Sequence, residues 1–569
     1  MKRTLELIEV ARGLKPADLI LSNARIVNVF NGEIEKGNVA IYGSQIAGIG
    51  DYHLAREIID IKGQYLVPGL INGHTHVESS MLDIGQYASA VIPHGTLGVV
   101  TDLHEIANVS GIKGIDYILS ASRHLPFEFF VMAPSCVPAT HLETSGAGID
   151  GKALRHLLRR KEVIGLGEMM NYSGVLSGDT NVLDKIEASR GKPADGHAPG
   201  LSGRDLNAYI ASGISSDHEC VTLEEACEKL ARGMYVMIRE GSSEKNLEAL
   251  LPMVTDLTYK RCLFVVDDRS CTDLLRDGDI DAVVRKAIRL GLEPVRAIQL
   301  ATINTAERFG LKRIGAVAPG YLSNLIVTTD LNRLDARLVF HRGRLVAHDG
   351  QFLYKPKANS KRNLENTVMV KPFGPEALRF TSPGEAFPVI EVIPGQIITR
   401  KLKLKVRRDQ NGFIISDVER DALKLVVVER HKASGNIGRG LVKGFGLKRG
   451  ALASSVAHDS HNIVAVGTND IDILTAIREV IAMQGGLAVT GDGRILASLP
   501  LSVSGLMSDR PLAEVVKNFA CLEEAAKELG CGLAAPFDAL SFLALPVIPQ
   551  LRLTDMGLVD VNAFKIIQT

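Results

Sequence analysis

Two histidines separated by one residue, His74 and His76, carry the first chemistry legible in this chain; they stand in the run Pro68-Gly-Leu-Ile-Asn-Gly-His-Thr-His. At the end of a β-strand such a pair can project towards one centre, and neutral imidazole is a good ligand for Zn, Mn or Fe. A bare His-x-His occurs by chance, so its weight depends on partners. These arrive in order: Glu168 after Gly165-Leu-Gly, His197 after Asp195-Gly, His218 and Glu219 after Ser216-Asp217, and Asp267 and Asp268 before Arg269. Four imidazoles and two or three carboxylates from separate segments form a donor set for two divalent ions. Glu168 is the natural bridge, since a shared carboxylate neutralises two cations held about 3.5–4 Å apart. Two further polar groups stand beside them. His104, Glu105 and Asn108 read as substrate contacts, an additional metal site or simple loop capping, and Arg239-Glu240-Gly-Ser reads as pocket lining.

Each of these residues closes a short apolar run, and the runs define the elements that must position them. Eight candidate strands follow one another: Tyr65–Ile71, Gly98–Asp102, Phe127–Ala133, Val163–Gly167, Pro193–Gly196, Gly213–Asp217, Met234–Arg239 and Cys262–Val266. Helix-length segments separate them, and most end in an ionisable cluster. That pattern predicts an α/β fold with a (β/α)8, TIM-like barrel, whose chemistry gathers at the carboxyl ends of its strands. An open doubly wound sheet would gather it at one switch point instead. Before the barrel, Leu19–Ile26, Gly37–Ile41, Gln45–Ile49 and Arg56–Asp60 alternate like a small sheet or sandwich, and Leu325–Thr329 beyond it can complete that sheet. The expected organisation is therefore residues 1–66 and 313–360 as two parts of one β-sandwich domain, with the barrel (67–312) inserted between them. A polar linker around residues 355–366 leads to a C-terminal α/β domain, 367–569.

The composition narrows the function classes. Lys+Arg and Asp+Glu both number 65, and there is no Trp, so nothing favours a nucleic acid or an acidic membrane as partner. Glu6 and Glu9 interrupt any apolar leader, and no apolar run reaches the ~18 residues of a membrane helix. Seven cysteines without a Cys-x-x-Cys pair read as reduced thiols in the cytoplasm.

At this point the motifs resemble a known family. His-x-His on strand one, an acid on strand four, His on strands five and six and Asp on strand eight are similar to the amidohydrolase superfamily. Within it the chain resembles the adenine deaminase family along nearly its full length. The resemblance is carried by PGLINGHTHVESSM (68–81), VTDLHEIANVSG (100–111), GLGEMMN (165–171), DGHAPGLSG (195–203), SDHE (216–219) and VDDR (266–269). ERHKASGNIGRG (429–440), SVAHDSHN (455–462) and SGLMS (504–508) extend it into the C-terminal domain.

The resemblance implies a binuclear centre, with Mn(II) or Fe(II) as the associated metals. His74, His76, Glu168 and Asp267 would serve one ion, and Glu168, His197 and His218 the other. It implies hydrolytic deamination of adenine to hypoxanthine and ammonia, with water activated between the metals attacking C6. Asp267 is expected to shuttle protons and Asp268 to hydrogen-bond a purine nitrogen. Arg239, His104 and Asn108 are expected to contact substrate. A departure concerns the acid that protonates N1. The adenosine deaminase branch carries a Glu shortly after the strand-five His, whereas here Ala198-Pro-Gly follows His197. Glu105, Glu240 and Glu219 remain open for that role. In the last domain, His458, Asp459 and His461 are expected to reach the mouth of the barrel of their own or a neighbouring subunit and complete the pocket, in a homo-oligomer (dimer or tetramer). The competing readings are a cyclic amide or imide hydrolase, which commonly has a carbamylated Lys where this chain has Glu168, and a non-catalytic purine-binding protein, which would be expected to have lost ligands.

Overall fold

The computed structural model describes residues 2–356 and 364–567. Eight parallel strands carry its centre: Leu70–Thr75, Thr96–Asp102, Glu128–Ala133, Val163–Met169, Ala194–Gly196, Ser216–Asp217, Tyr235–Arg239 and Cys262–Val265. They run as one ladder of five strands and one of three. Backbone hydrogen bonds close the ring. The Ser215 N–H donates to the Ala194 carbonyl at 3.1 Å, and the Asp267 N–H donates to the His74 carbonyl at 3.0 Å. Strands covered on both sides need no polar alternation. Thr96–Asp102 is accordingly buried at every position. The surrounding helices are amphipathic, as in Ile280–Arg289, which turns Ile280, Val283, Val284 and Ala287 inward.

The expected first barrel strand, Tyr65–Ile71, divides at Gly69. Tyr65–Pro68 pairs with Ala17–Val27 and Leu325–Thr328 in a different sheet, and only Leu70–Thr75 belongs to the barrel. One continuous apolar run serves two sheets here, and its sequence carries no mark of which backbone groups pair where. That second sheet has nine strands and draws them from both sides of the barrel, with Ala17–Val27 and Tyr65–Pro68 on one side and Leu325–Thr328, Ala336–His341 and Arg344–His348 on the other. The two sides share one core, in which Leu21, Ile26 and Val39 meet Leu325, Val327 and Phe340. A helix over Lys2–Ala11 precedes it, which the sequence reading does not anticipate.

The C-terminal part is built on an eight-stranded sheet from Ala386 to Pro500, flanked by helices Asp470–Ala482, Leu512–Glu528 and Pro536–Phe542. Its core runs into that of the barrel, because Leu487, Val503 and Met507 belong to the same apolar cluster as Val77, Leu82 and Ile106. Most of the linker expected around 355–366 lies outside the described residues. Among those that are described, no helix is long and apolar enough to cross a membrane.

Candidate metal centre

Barrel strand four delivers Glu168, 3% exposed, into a ring of imidazoles. Its Oε1 stands 3.1 Å from His76 Nε2 and 3.7 Å from His74 Nε2, while its Oε2 stands 2.7 Å from His197 Nδ1 and 3.3 Å from His218 Nε2. Asp267 Oδ1 lies 3.4 Å from His74 Nε2 and 3.1 Å from His76 Nε2. The single carboxylate of Glu168 thus divides its oxygens between two pairs of histidines, and Asp267 Oδ1 stands nearest to His74 and His76.

The placement follows from local sequence. Gly167 has no side chain because a Cβ there would fall 1.9 Å from Asp102 Oδ2. That close approach lets Asp102 accept the Glu168 N–H at 3.0 Å and fixes the carboxylate. The Asp102 carbonyl also partners His76 Nδ1 at 2.9 Å, leaving Nε2 to face the centre. Asp267 adopts a left-handed backbone, φ 61°, and accepts the His76 N–H at 3.2 Å on its carbonyl. The barrel is therefore sealed at the ligands themselves. Behind His218, Asp217 accepts from the Ala198 N–H at 2.8 Å and from fully buried Lys229 at 2.9 Å, so the loops after strands five and six are braced together.

The donors fit divalent cations. Three triads bring one ligand atom each into mutual reach: His74, His76 and Glu168; His74, His218 and Asp267; Glu168, His197 and His218. Buried His74 Nε2, which faces Glu168 and Asp267, has no hydrogen-bond partner. Such groups ordinarily find one. A mixed imidazole and carboxylate set without thiolate suits Mn, Fe or Zn. Burial opposes ionisation of Glu168, yet the surrounding imidazoles hold its carboxyl well below the usual carboxylate range.

The remaining predicted residues separate into those on the cavity and those off it. A cavity beside Glu168 is lined by His104, Glu105, Arg239, Asp268 and His458. Arg239 is committed to neighbours, donating to Asp267 at 2.8 Å and gripping both oxygens of Glu219. Glu219 is therefore held by a guanidinium rather than free as an acid. Asp268 accepts from the Ser79 hydroxyl and brings a carboxylate oxygen within 4.8 Å of ligand atoms of His76 and Asp267. His104 Nδ1 lies 3.6 Å from Glu168 Oε1, and its Nε2 lies 3.3 Å from Glu105. Glu105 is met from the last domain by His458 Nδ1 at 2.6 Å and by His461 Nε2. The histidine cluster thus reaches the barrel of its own chain.

Three predicted contacts are placed elsewhere. Glu240 does not face the cavity, because its carboxylate takes Lys286 at 2.5 Å and the Leu247 N–H at 3.2 Å. Strand alternation sends Arg239 inward and its neighbour outward. Asn108 lies one turn into the helix that His104 opens and donates to the His104 and Cys136 carbonyls, so it braces that helix. His461 stands behind Glu105. The sequence reading does not single out Asp102 or Glu244, although the signal, an acid closing strand two and an acid in the loop after strand seven, was present. It also omits an apolar wall of Met170, Ile397, Phe542, Leu545 and Ile548, mostly from the C-terminal part, which carries no local pattern pointing to a distant barrel.

Comparison with known proteins agrees with this geometry. Residues 65–346 match the model of the amidohydrolase family, and residues 396–565 match that of the adenine deaminase C-terminal domain. A protein of Dehalococcoides mccartyi named adenine deaminase is 65% identical over 562 residues, covering 99% of this chain and 98% of its own. One of Carboxydothermus hydrogenoformans, named adenine deaminase 2, is 47% identical over 568 residues, covering 100% and 99%.

Proposed function

The chain belongs to the adenine deaminase family, and from that premise we propose that it hydrolyses adenine to hypoxanthine and ammonia. The reading rests on one observation, the division of the Glu168 oxygens between His74 and His76 on one side and His197 and His218 on the other. His74, His76, Glu168 and Asp267 would hold one divalent ion, and Glu168, His197 and His218 the other, with Mn(II) or Fe(II) the favoured occupants. Such ions supply Lewis acidity and bring the pKa of bound water towards neutrality.

The chain's own residues do the rest. Asp267 takes a proton from the attacking water and returns it to the departing amine as the C6–N bond breaks. Arg239 keeps the Asp267 carboxylate oriented by holding its Oδ2. Asp268, placed on the cavity wall, accepts from the substrate, and His104, Glu105 and His458 enclose it from the far side. Met170, Phe542, Leu545 and Ile548 give the flat ring an apolar bed and exclude water. The proposal extends to a cytoplasmic homo-oligomer, a dimer or tetramer, and seven unpaired cysteines suit a reducing compartment.

The test is an assay of protein reconstituted with Mn(II) or Fe(II), following hypoxanthine and ammonia from adenine and inosine from adenosine. Absence of ammonia release from adenine by metal-loaded protein would sink the reading.

A further inference from the structure

The loop after barrel strand seven folds back within six residues. Glu240 and Lys245 meet as an antiparallel bridge. The Gly241 N–H donates to the Glu244 carbonyl at 2.8 Å, and the Ser242 N–H donates to the Asp268 carbonyl at 2.9 Å. Gly241 permits this, since a Cβ there would stand 2.7 Å from the carbonyl oxygens of both Val266 and Asp268. The turn brings Glu244 onto the wall of the cavity beside Glu168. Glu244 is 8% exposed. Its Oε2 accepts from the Ser243 hydroxyl at 2.8 Å, and its Oε1 has no hydrogen-bond partner.

Most other acids on this wall are engaged, and Asp459, whose Oδ2 also lacks a hydrogen-bond partner, lies 3.7 Å from His104 Nε2. Glu168 and Asp267 lie among imidazoles, Glu219 is gripped by Arg239, Glu105 by His458, and Asp268 accepts from Ser79. An unpartnered buried carboxyl oxygen on a tight, hydrogen-bonded turn is the arrangement expected of a group whose partner is a ligand.

We propose that Glu244 reads the substrate by pairing with the N3 and N9–H edge of the free base. The inference deepens the proposed function and rests on it. Burial, opposed by Arg239 and reinforced by Asp268 and Asp267, lifts the Glu244 pKa to about 8. A neutral carboxyl offers a donor and an acceptor side by side. Unsubstituted adenine presents the complement, an acceptor at N3 beside a donor at N9. A nucleoside or an N9-alkylated base lacks that donor and leaves a buried acceptor unpaired, the kind of mismatch that hydrogen-bonding sites reject strongly.

The experiment compares adenine with 9-methyladenine and 3-deazaadenine on the Mn-loaded full chain. Turnover of adenine by the wild type is measured first, and its absence would remove the proposed function rather than this inference. Given turnover, the wild type should bind each analogue about 10- to 100-fold more weakly than adenine, the scale of a buried group left unpaired. Glu244→Leu should raise KM for adenine by a similar factor and bind all three compounds alike, with metal content unchanged. Glu244→Gln, which keeps one donor and one acceptor, should recover part of the discrimination and serves also if the leucine variant fails to fold. A wild type that binds the three compounds equally, or a variant that keeps the full preference for adenine, would overturn the assignment.

Discussion

Two buried carboxylates in this molecule are ringed by imidazoles, and they are built for different ends. Glu168 draws His74, His76, His197 and His218 from the strand ends of one barrel, whereas Glu105 draws His104 from its own helix and His458 and His461 from the turn between strands Ala451–Ser454 and Ile463–Gly467 of the C-terminal sheet. Burial works against both charges, and in both the imidazoles win, holding each carboxyl well below its ordinary range. Ring nitrogens without hydrogen-bond partners occur in both clusters, His74 Nε2 beside Glu168 and His461 Nε2 beside Glu105 among them. Around Glu105 the two C-terminal histidines diverge. Burial disfavours the charged form of each, yet Glu105 pushes His458 up to about 10, while His461, facing His458 and Arg430 as well, falls to about 4. Glu105 and His458 therefore form an ion pair internal to the protein. Around Glu168 the carboxylates, against burial, also raise His76, His197 and His218, the last to about 9, and there groups of three ligand atoms from the barrel strands lie within mutual reach of a cation. One cluster has the ligand groups of a candidate metal cradle, and the other joins the barrel to the C-terminal part.

Glu168→Gln tests the cradle and should have the largest effect. Turnover should fall on the order of 10³-fold or more, as for loss of a central charge-stabilising group, with reduced metal content by elemental analysis and a thermal midpoint near the wild type. Full metal loading with normal turnover would break the contrast. Asp267→Asn should cost about 10²- to 10⁴-fold in kcat, the range for a lost acid–base group, while retaining part of the metal.

The Glu105 cluster should respond in the opposite currency. Glu105→Gln removes one partner of a buried ion pair and should destabilise the fold by about 3–5 kcal/mol, read by denaturant melts, with metal content preserved. Loss of metal without loss of stability would reverse the two roles. The pH dependence sharpens the point. A histidine ordinarily titrating near 6.5 and raised to about 10 in the fold contributes stability that is whole below pH 6.5 and is lost as pH rises towards 10. His458→Ala should therefore flatten the wild-type decline in thermal midpoint between pH 6.5 and 10. An unchanged slope would take the charge off His458. Asp268→Asn should have the smallest effect, a severalfold rise in KM for adenine at constant kcat, and a larger loss in kcat than in KM would exchange its role with that of Asp267.

How far these assignments were legible varies from residue to residue. The candidate metal ligands each close a short apolar run, so their order along the chain announces a parallel barrel with its chemistry at the strand ends. His74 and His76, Glu168, His197, His218 and Asp267 were all visible in this way, and the structure brings them together. Asp102 was passed over because its task is to accept one N–H through the gap left by Gly167, a contact across two strands. Glu240 and Glu244 are both acids in one loop. Only the turn at Gly241 decides that the first faces Lys286 and the second the cavity.

The sequence by itself determined the alternation of strands and helices and the ligand types at the strand ends, because periodicity and local chemistry are written in neighbouring residues. Tertiary structure alone decided that Tyr65–Pro68 leaves the barrel for the nine-stranded sheet, that Phe542, Leu545 and Ile548 wall a cavity built around Glu168, and that His458 meets Glu105 across 353 positions of chain. Those outcomes depend on which surfaces bury one another. Burial energy is set by the packed partner, and a segment read alone does not contain its partner.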